Sequence, residues 1–148
     1  MRRPRMHPLT LAVLMALVTA APAAAQEAED LNGVMNTLAA LWTRGDAVRL
    51  ADYGAAPGLD LEIHGEMLGP VEGRRAEAAL RQLFESQQTV AVIPGRSTRV
   101  VGAEDRAFGE LTWTVRVPGS LATERSTVFV GLVHEASGWR ISQIRILP

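Results

Sequence analysis

The chain has 148 residues with 15 basic and 16 acidic side chains, a formal charge of −1, and no cysteine. The missing thiols exclude disulfides, thiolate metal sites and cysteine nucleophiles, and because every basic residue is arginine, a lysine Schiff base is excluded as well. A charge this evenly balanced provides no dense positive surface of the kind that holds a phosphate backbone, so nucleic acid is not an expected partner.

Arg2, Arg3 and Arg5 open the chain, followed by an uncharged stretch from Leu9 to Val18 and then Ala23-Ala24-Ala25. This is the pattern of a secretory signal peptide with an A-x-A cleavage site before Gln26. Its apolar run is about ten residues, where a spanning helix needs about 20, so no stable membrane insertion is expected after cleavage. The expected division is a signal peptide over 1–25 and one domain over 26–148, located in the periplasm or secreted. Cleavage removes three of the 15 arginines and none of the 16 acids, leaving 12 basic residues against 16 acidic ones and a formal charge of −4.

Beyond a short acidic lead-in, Leu31, Val34, Met35, Leu38, Leu41 and Trp42 recur at spacings of three and four, the apolar stripe of a helix. Gly45 ends it, and Asp46 caps a second short helix through Tyr53. Gly54 to Gly58 breaks the pattern. Leu59 to His64 then alternates apolar and polar residues and reads as a strand. Gly65, Gly69, Pro70 and Gly73 read as a turn region before Ala76, Ala79, Leu80, Leu83 and Phe84 restore helical spacing. The second half reads as strands over about Val90 to Ile93, Thr98 to Val101, Ala107 to Val117, Thr123 to His134 and Trp139 to Leu147, with Gly95, Gly102, Gly119 and Gly138 at the reversals. Helices gathered early and strands gathered late predict an α+β fold with helices on one face of an antiparallel sheet.

Three stretches carry a family resemblance: Leu41-Trp42-Thr43-Arg44-Gly45-Asp46 at the helix corner, Glu72-Gly73-Arg74 leading into Leu80 to Phe84, and the closing Gly138-Trp139-Arg140-Ile141. In this order and spacing the chain resembles the nuclear transport factor 2-like superfamily, which includes SnoaL-like and ketosteroid isomerase-like proteins and uncharacterised exported bacterial domains. The resemblance covers essentially all of residues 26–148. It implies a strongly curved antiparallel sheet wrapped around the three helices of the N-terminal half, a cystatin-like cone whose open end holds a ligand pocket. Homodimers through the outer sheet face are also implied. The superfamily hosts isomerases, dehydratases, hydrolases, cyclases and binding modules, so function stays open.

In ketosteroid isomerase-like relatives a catalytic carboxylate stands on the first strand, nine residues before the glycine that opens the third helix. Counting back from Gly73, that position is His64. The resemblance thereby makes His64 the candidate general acid or base, a role suited to its titration range. On the residues alone, His64 is equally a strand-end residue beside Gly65. The places where such isomerases hold an enolate-stabilising tyrosine and a protonated acid are Leu38 and Val130 here, both apolar, so steroid isomerisation is not implied.

Trp42, Tyr53, Asp60, Glu110, Trp113 and Val130 are the candidate ligand-lining residues, with Asp60 or Glu110 available to orient His64. The tryptophans lie on apolar stripes and are equally core residues, while the carboxylates equally fit solvated strand faces. After the leader only His64 and His134 remain as histidines. His134-Glu135 begins like a zincin motif, but Gly138 occupies the place of the second histidine. No metal or cofactor is expected, and no nucleophile elbow, Walker loop or dinucleotide fingerprint occurs. Three readings follow. One is an exported domain binding a small hydrophobic or amphipathic molecule in an apolar pocket. The second is a dehydratase- or isomerase-type enzyme using His64, and the third is a dimeric interaction module whose cavity is filled by its own side chains.

Overall fold

The computed structural model describes residues 23–148, so the signal peptide expected over 1–25 lies outside the described residues apart from Ala23–Ala25 at the start of the first helix. That helix, α1 (Ala23–Arg44), is followed by α2 (Ala47–Asp52), β1 (Leu59–Ile63), β2 (Glu66–Val71), α3 (Gly73–Ser86), β3 (Gln88–Val100), β4 (Ala103–Arg116), β5 (Thr123–Glu135) and β6 (Gly138–Leu147). Among the described residues, no helix is long and apolar enough to cross a membrane.

The predicted stripe on α1 is the side it buries: Leu31, Met35, Leu38, Leu41 and Trp42 are all in the core. Gly45 stops the helix in the left-handed conformation, φ 63°. Its N–H donates to the Trp42 carbonyl at 3.0 Å, and the Asp46 N–H donates to the Leu41 carbonyl at 3.0 Å, so two end carbonyls are satisfied in a Schellman turn. Asp46 then caps α2 by accepting from the Arg49 N–H at 3.2 Å. One glycine and one aspartate therefore set the bend between the helices.

Six strands form one sheet in the order β2-β1-β6-β5-β4-β3. Along β4 the buried residues Leu111, Trp113 and Val115 alternate with half-buried ones, and β5 repeats the pattern with Val128, Val130 and Leu132. This is the period-two signature of a sheet covered on one face. Between helices and sheet, Trp42 meets Phe84 and Trp113 edge to face, with ring centroids 5.2 and 5.6 Å apart. Such pairing adds to the area these rings bury, about 150–250 Å² each. The Trp113 Nε1–H donates to Thr89 Oγ1 at 2.9 Å.

The sheet departs from the expected cone. It is mixed rather than antiparallel, because β1 lies parallel to β6, and it is open, neither curled nor closed, with β2 and β3 as its edges. The physical reason lies in the interior. Trp42, Trp113, Leu38, Leu111 and Val130 fill the space between the layers and are almost wholly buried, so helices and sheet pack directly on one another.

Two local expectations also change. Residues 66–71, read as part of a turn region, form β2, antiparallel to β1. The two strands expected on either side of Gly95 are one strand, β3, which passes through Pro94 and Gly95 with a register shift between Pro94 and Ser97. An edge strand tolerates the proline because its outer N–H groups have no neighbour to lose, and the bulge takes up the shift in register.

Candidate functional site

The residues singled out from the sequence lie in five different places. Trp42, Trp113 and Val130 are in the core, at 1%, 2% and 1% exposure. Tyr53 follows α2 directly, where its carbonyl accepts from the Ile141 N–H at 2.7 Å and the Arg140 guanidinium lies 6.0 Å from its ring centre. Glu110 sits half-buried on the side of β4 away from the helices, opposite Phe129 in the ladder. His64 and Asp60 line two separate surface grooves, so no carboxylate from the candidate set shares the histidine's groove.

His64 stands in the loop of the β1–β2 hairpin. Ile63 pairs with Glu66, leaving His64 and Gly65 as a two-residue connection, and both have positive φ, 53° and 83°. That combination belongs to the type I′ turn, whose twist matches the strands it joins. His64 is the only residue other than glycine with positive φ among the described residues. Histidine is one of the few side chains enriched in this conformation, so turn geometry alone accounts for the backbone.

The groove beside His64 lies between the hairpin and α3 and has a volume of about 350 Å³. Ile63, Leu68, Ala79 and Leu83 supply its apolar surface, and His64, Glu66, Gln82 and Ser86 supply polar groups. The Ser86 hydroxyl is partly engaged, donating to the Leu83 carbonyl at 2.8 Å. Ala79 and Leu83 are four apart on α3, hence on one helical face. Helical spacing made them core candidates, whereas Leu68, Gln82 and Ser86 went unread. The available signal was the His64-Gly65 pair directly after the β1 run, residue types suited to a two-residue turn, and that turn defines the hairpin that brings Leu68 opposite the helix.

Asp60 lines a second groove, of about 390 Å³, together with Arg106, Glu135 and Ser142. Among the described residues no group of three or more histidine, aspartate or glutamate side chains is placed to hold a metal ion.

No family model matches the sequence, and no curated protein does. Solved structures do. A DUF4783 family protein from Bacteroides uniformis superposes with a TM-score of 0.61 at 16% identity, over 74% of this chain and 91% of that one. A hypothetical protein with a ketosteroid isomerase-like fold from Catenulispora acidiphila, solved in complex with trimethylamine, gives a TM-score of 0.58 at 19% identity over 77% and 84%. A nuclear transport factor 2-like protein with a cystatin-like fold from Novosphingobium aromaticivorans gives 0.55 at 20% identity over 83% and 82%. This chain has the nuclear transport factor 2-like fold. At these identities the likeness concerns architecture, and the nuclear transport factor 2-like scaffold carries many chemistries, so function has to be argued from the grooves.

Proposed function

We propose that the protein is an exported binding domain that takes a small amphipathic molecule into the groove between the β1–β2 hairpin and α3. The observation carrying this reading is the composition of that groove. Four apolar side chains, Ile63, Leu68, Ala79 and Leu83, adjoin four polar ones, His64, Glu66, Gln82 and Ser86, around about 350 Å³. The volume falls in the range of roughly 300–1,000 Å³ usual for a small-ligand site, and the even mix of apolar and polar side chains suits an amphipathic molecule. The filled interior leaves this groove as a better seat than the space between the layers. A protein of the same fold from Catenulispora acidiphila was solved with trimethylamine, which supports small-molecule binding as one use of the scaffold.

The test is native mass spectrometry of the purified protein, followed by identification of any retained small molecule. Ala79→Phe should fill the groove and abolish retention while thermal unfolding stays cooperative. An empty wild-type protein, or undiminished retention in Ala79→Phe, would overturn the reading.

A second reading, acid/base catalysis by His64, draws on Glu66 lining the same groove. It requires an activity toward the retained molecule whose pH profile loses an inflection in His64→Ala. Export and a homodimer complete the proposal, to be checked by the N-terminal sequence of the exported protein and by sedimentation velocity.

A further inference from the structure

From the second groove we infer a separate site for an elongated zwitterion, a molecule whose ammonium and carboxylate stand several ångströms apart. The groove is assembled by local irregularities. On β6, Gln143 pairs with Gly131 and Ile141 with Leu132, so Ser142 between them has no partner residue and the ladder bulges. The segment after α2 is strapped over this bulge, with the Ala55 N–H donating to the Ile141 carbonyl at 2.8 Å. The Ala56 N–H donates to Glu135 Oε1 at 3.0 Å. Pro57, Pro70 and Val133 contribute apolar surface to a volume of about 390 Å³.

The charges in this groove are unmatched. Asp60 is half-buried and Arg106 exposed, and among the described residues neither has a hydrogen-bond or ion-pair partner. Asp60 is held close to β2, since a Cβ on Gly69 would lie 2.7 Å from its Oδ1. Any side chain at position 69 would displace the carboxylate. A half-buried carboxylate without a partner forfeits solvation that a bound cation would restore. Glu135 adds a second negative charge, so with Asp60, Glu135 and Arg106 the groove carries a net charge of −1. An ammonium is therefore the required feature of the ligand, and a carboxylate on Arg106 is the additional one.

Strand order sets the spacing. Asp60, Ser142, Val133 and Arg106 lie on β1, β6, β5 and β4, which are successive neighbours in the sheet. Three strand spacings and a two-residue offset along the ladder separate the Asp60 and Arg106 backbones by about 16 Å. The arginine stem shortens the gap between charges to about 10–14 Å, and two contacts of about 3 Å each leave about 4–8 Å between the ligand's own charges. An α-amino acid is too short for that distance. An ω-amino acid, or a short peptide with free termini, fits it and lays apolar atoms on Pro57, Pro70 and Val133.

Calorimetric titration of the purified protein tests this with 6-aminohexanoate, alanyl-leucine, hexylamine and hexanoate. At least one of the two zwitterions should bind more tightly than hexylamine, and hexanoate should not bind; the tighter zwitterion identifies the source as ω-amino acid or peptide. Asp60→Asn and Arg106→Gln should each weaken the zwitterion by about tenfold, a typical loss for one charge-assisted contact. In Arg106→Gln its advantage over hexylamine should disappear. His64→Ala should leave these titrations unchanged, so failure here and failure of the hairpin groove are separate results. Silence with all four probes, equal binding of hexylamine and the zwitterions, binding of hexanoate, or an unaffected Asp60→Asn would each overturn the inference. The wild-type series decides the question even if a variant does not fold.

Discussion

The aromatic cluster under the sheet and the hairpin groove beside it are built on opposite principles. In the cluster, Trp42 and Trp113 are nearly inaccessible and Phe84 closes against both at 5.2 and 6.4 Å. In the hairpin, Met67 and Leu68 stand exposed at 62% and 41%, and every residue of β2 except Val71 faces solvent. One region gains its order from burial; the other takes it from a turn and one ladder. Stability should reside in the first, while the second, where it meets α3, leaves room for ligand chemistry.

The sharpest way to break this contrast is Trp113→Ala. It removes a ring packed against Trp42 and Phe84 and leaves a void in a close-packed interior, with an expected loss of about 3–5 kcal/mol measured by urea unfolding. A loss near that of an exposed substitution would mean the interior is loose, and a ligand cavity there would return to consideration.

Gly109→Ala probes the same layer from the sheet side. Met35 crosses Gly109 so closely that a Cβ would fall 2.5 Å from its sulfur. Because Met35 is itself buried at 2% exposure, its side chain has little space to yield, and overpacking should cost about 1–3 kcal/mol in the same assay. An unchanged midpoint would show that the methionine end has room to move.

How far the sequence could be read follows the same division. The stripe of α1 and the alternation of β4 were legible because burial there is one-sided, and periodicity is the record of one-sided burial. The Gly45-Asp46 corner was legible because left-handed backbone and helix capping have narrow residue preferences. β2 was not, since a strand exposed along its length leaves no apolar period, and Gly69-Pro70 resembles punctuation. Gly95 resembled a reversal because a bulge and a turn draw on the same residue. The parallel pairing of β1 with β6 joins residues about 80 positions apart, and sheet closure depends on how interior volumes sum; neither leaves a local signal. The grooves were least legible of all. Gln82 and Ser86 look like a wet helix face, and Ser142 reaches its groove through a bulge visible only in the ladder register.

A smaller effect is expected on the open face, where Arg145 Nε donates to Glu62 Oε2 at 2.6 Å and links β6 to β1. The arginine side chain is 42% exposed, so solvent screens the pair, and a double-mutant cycle should give no more than about 1 kcal/mol, falling as salt is raised. A larger, salt-insensitive coupling would mean that this ion pair fixes the parallel pairing, giving the hairpin a stability source of its own.

The smallest expected change in stability is the most informative about the groove. His64→Asn keeps a residue that tolerates positive φ in a two-residue turn and in fact prefers it there, so folding stability should stay within about 0.5 kcal/mol of wild type. The substitution removes the imidazole from the groove rim without disturbing the hairpin that places Leu68 and Glu66. If histidine is present only because the turn accepts it, the retained molecule and its affinity are unchanged. If it contacts the ligand, affinity falls while the unfolding curve does not move. A loss of both together would show that the imidazole holds the hairpin against α3, and that the backbone turn alone cannot explain why this position is not an asparagine.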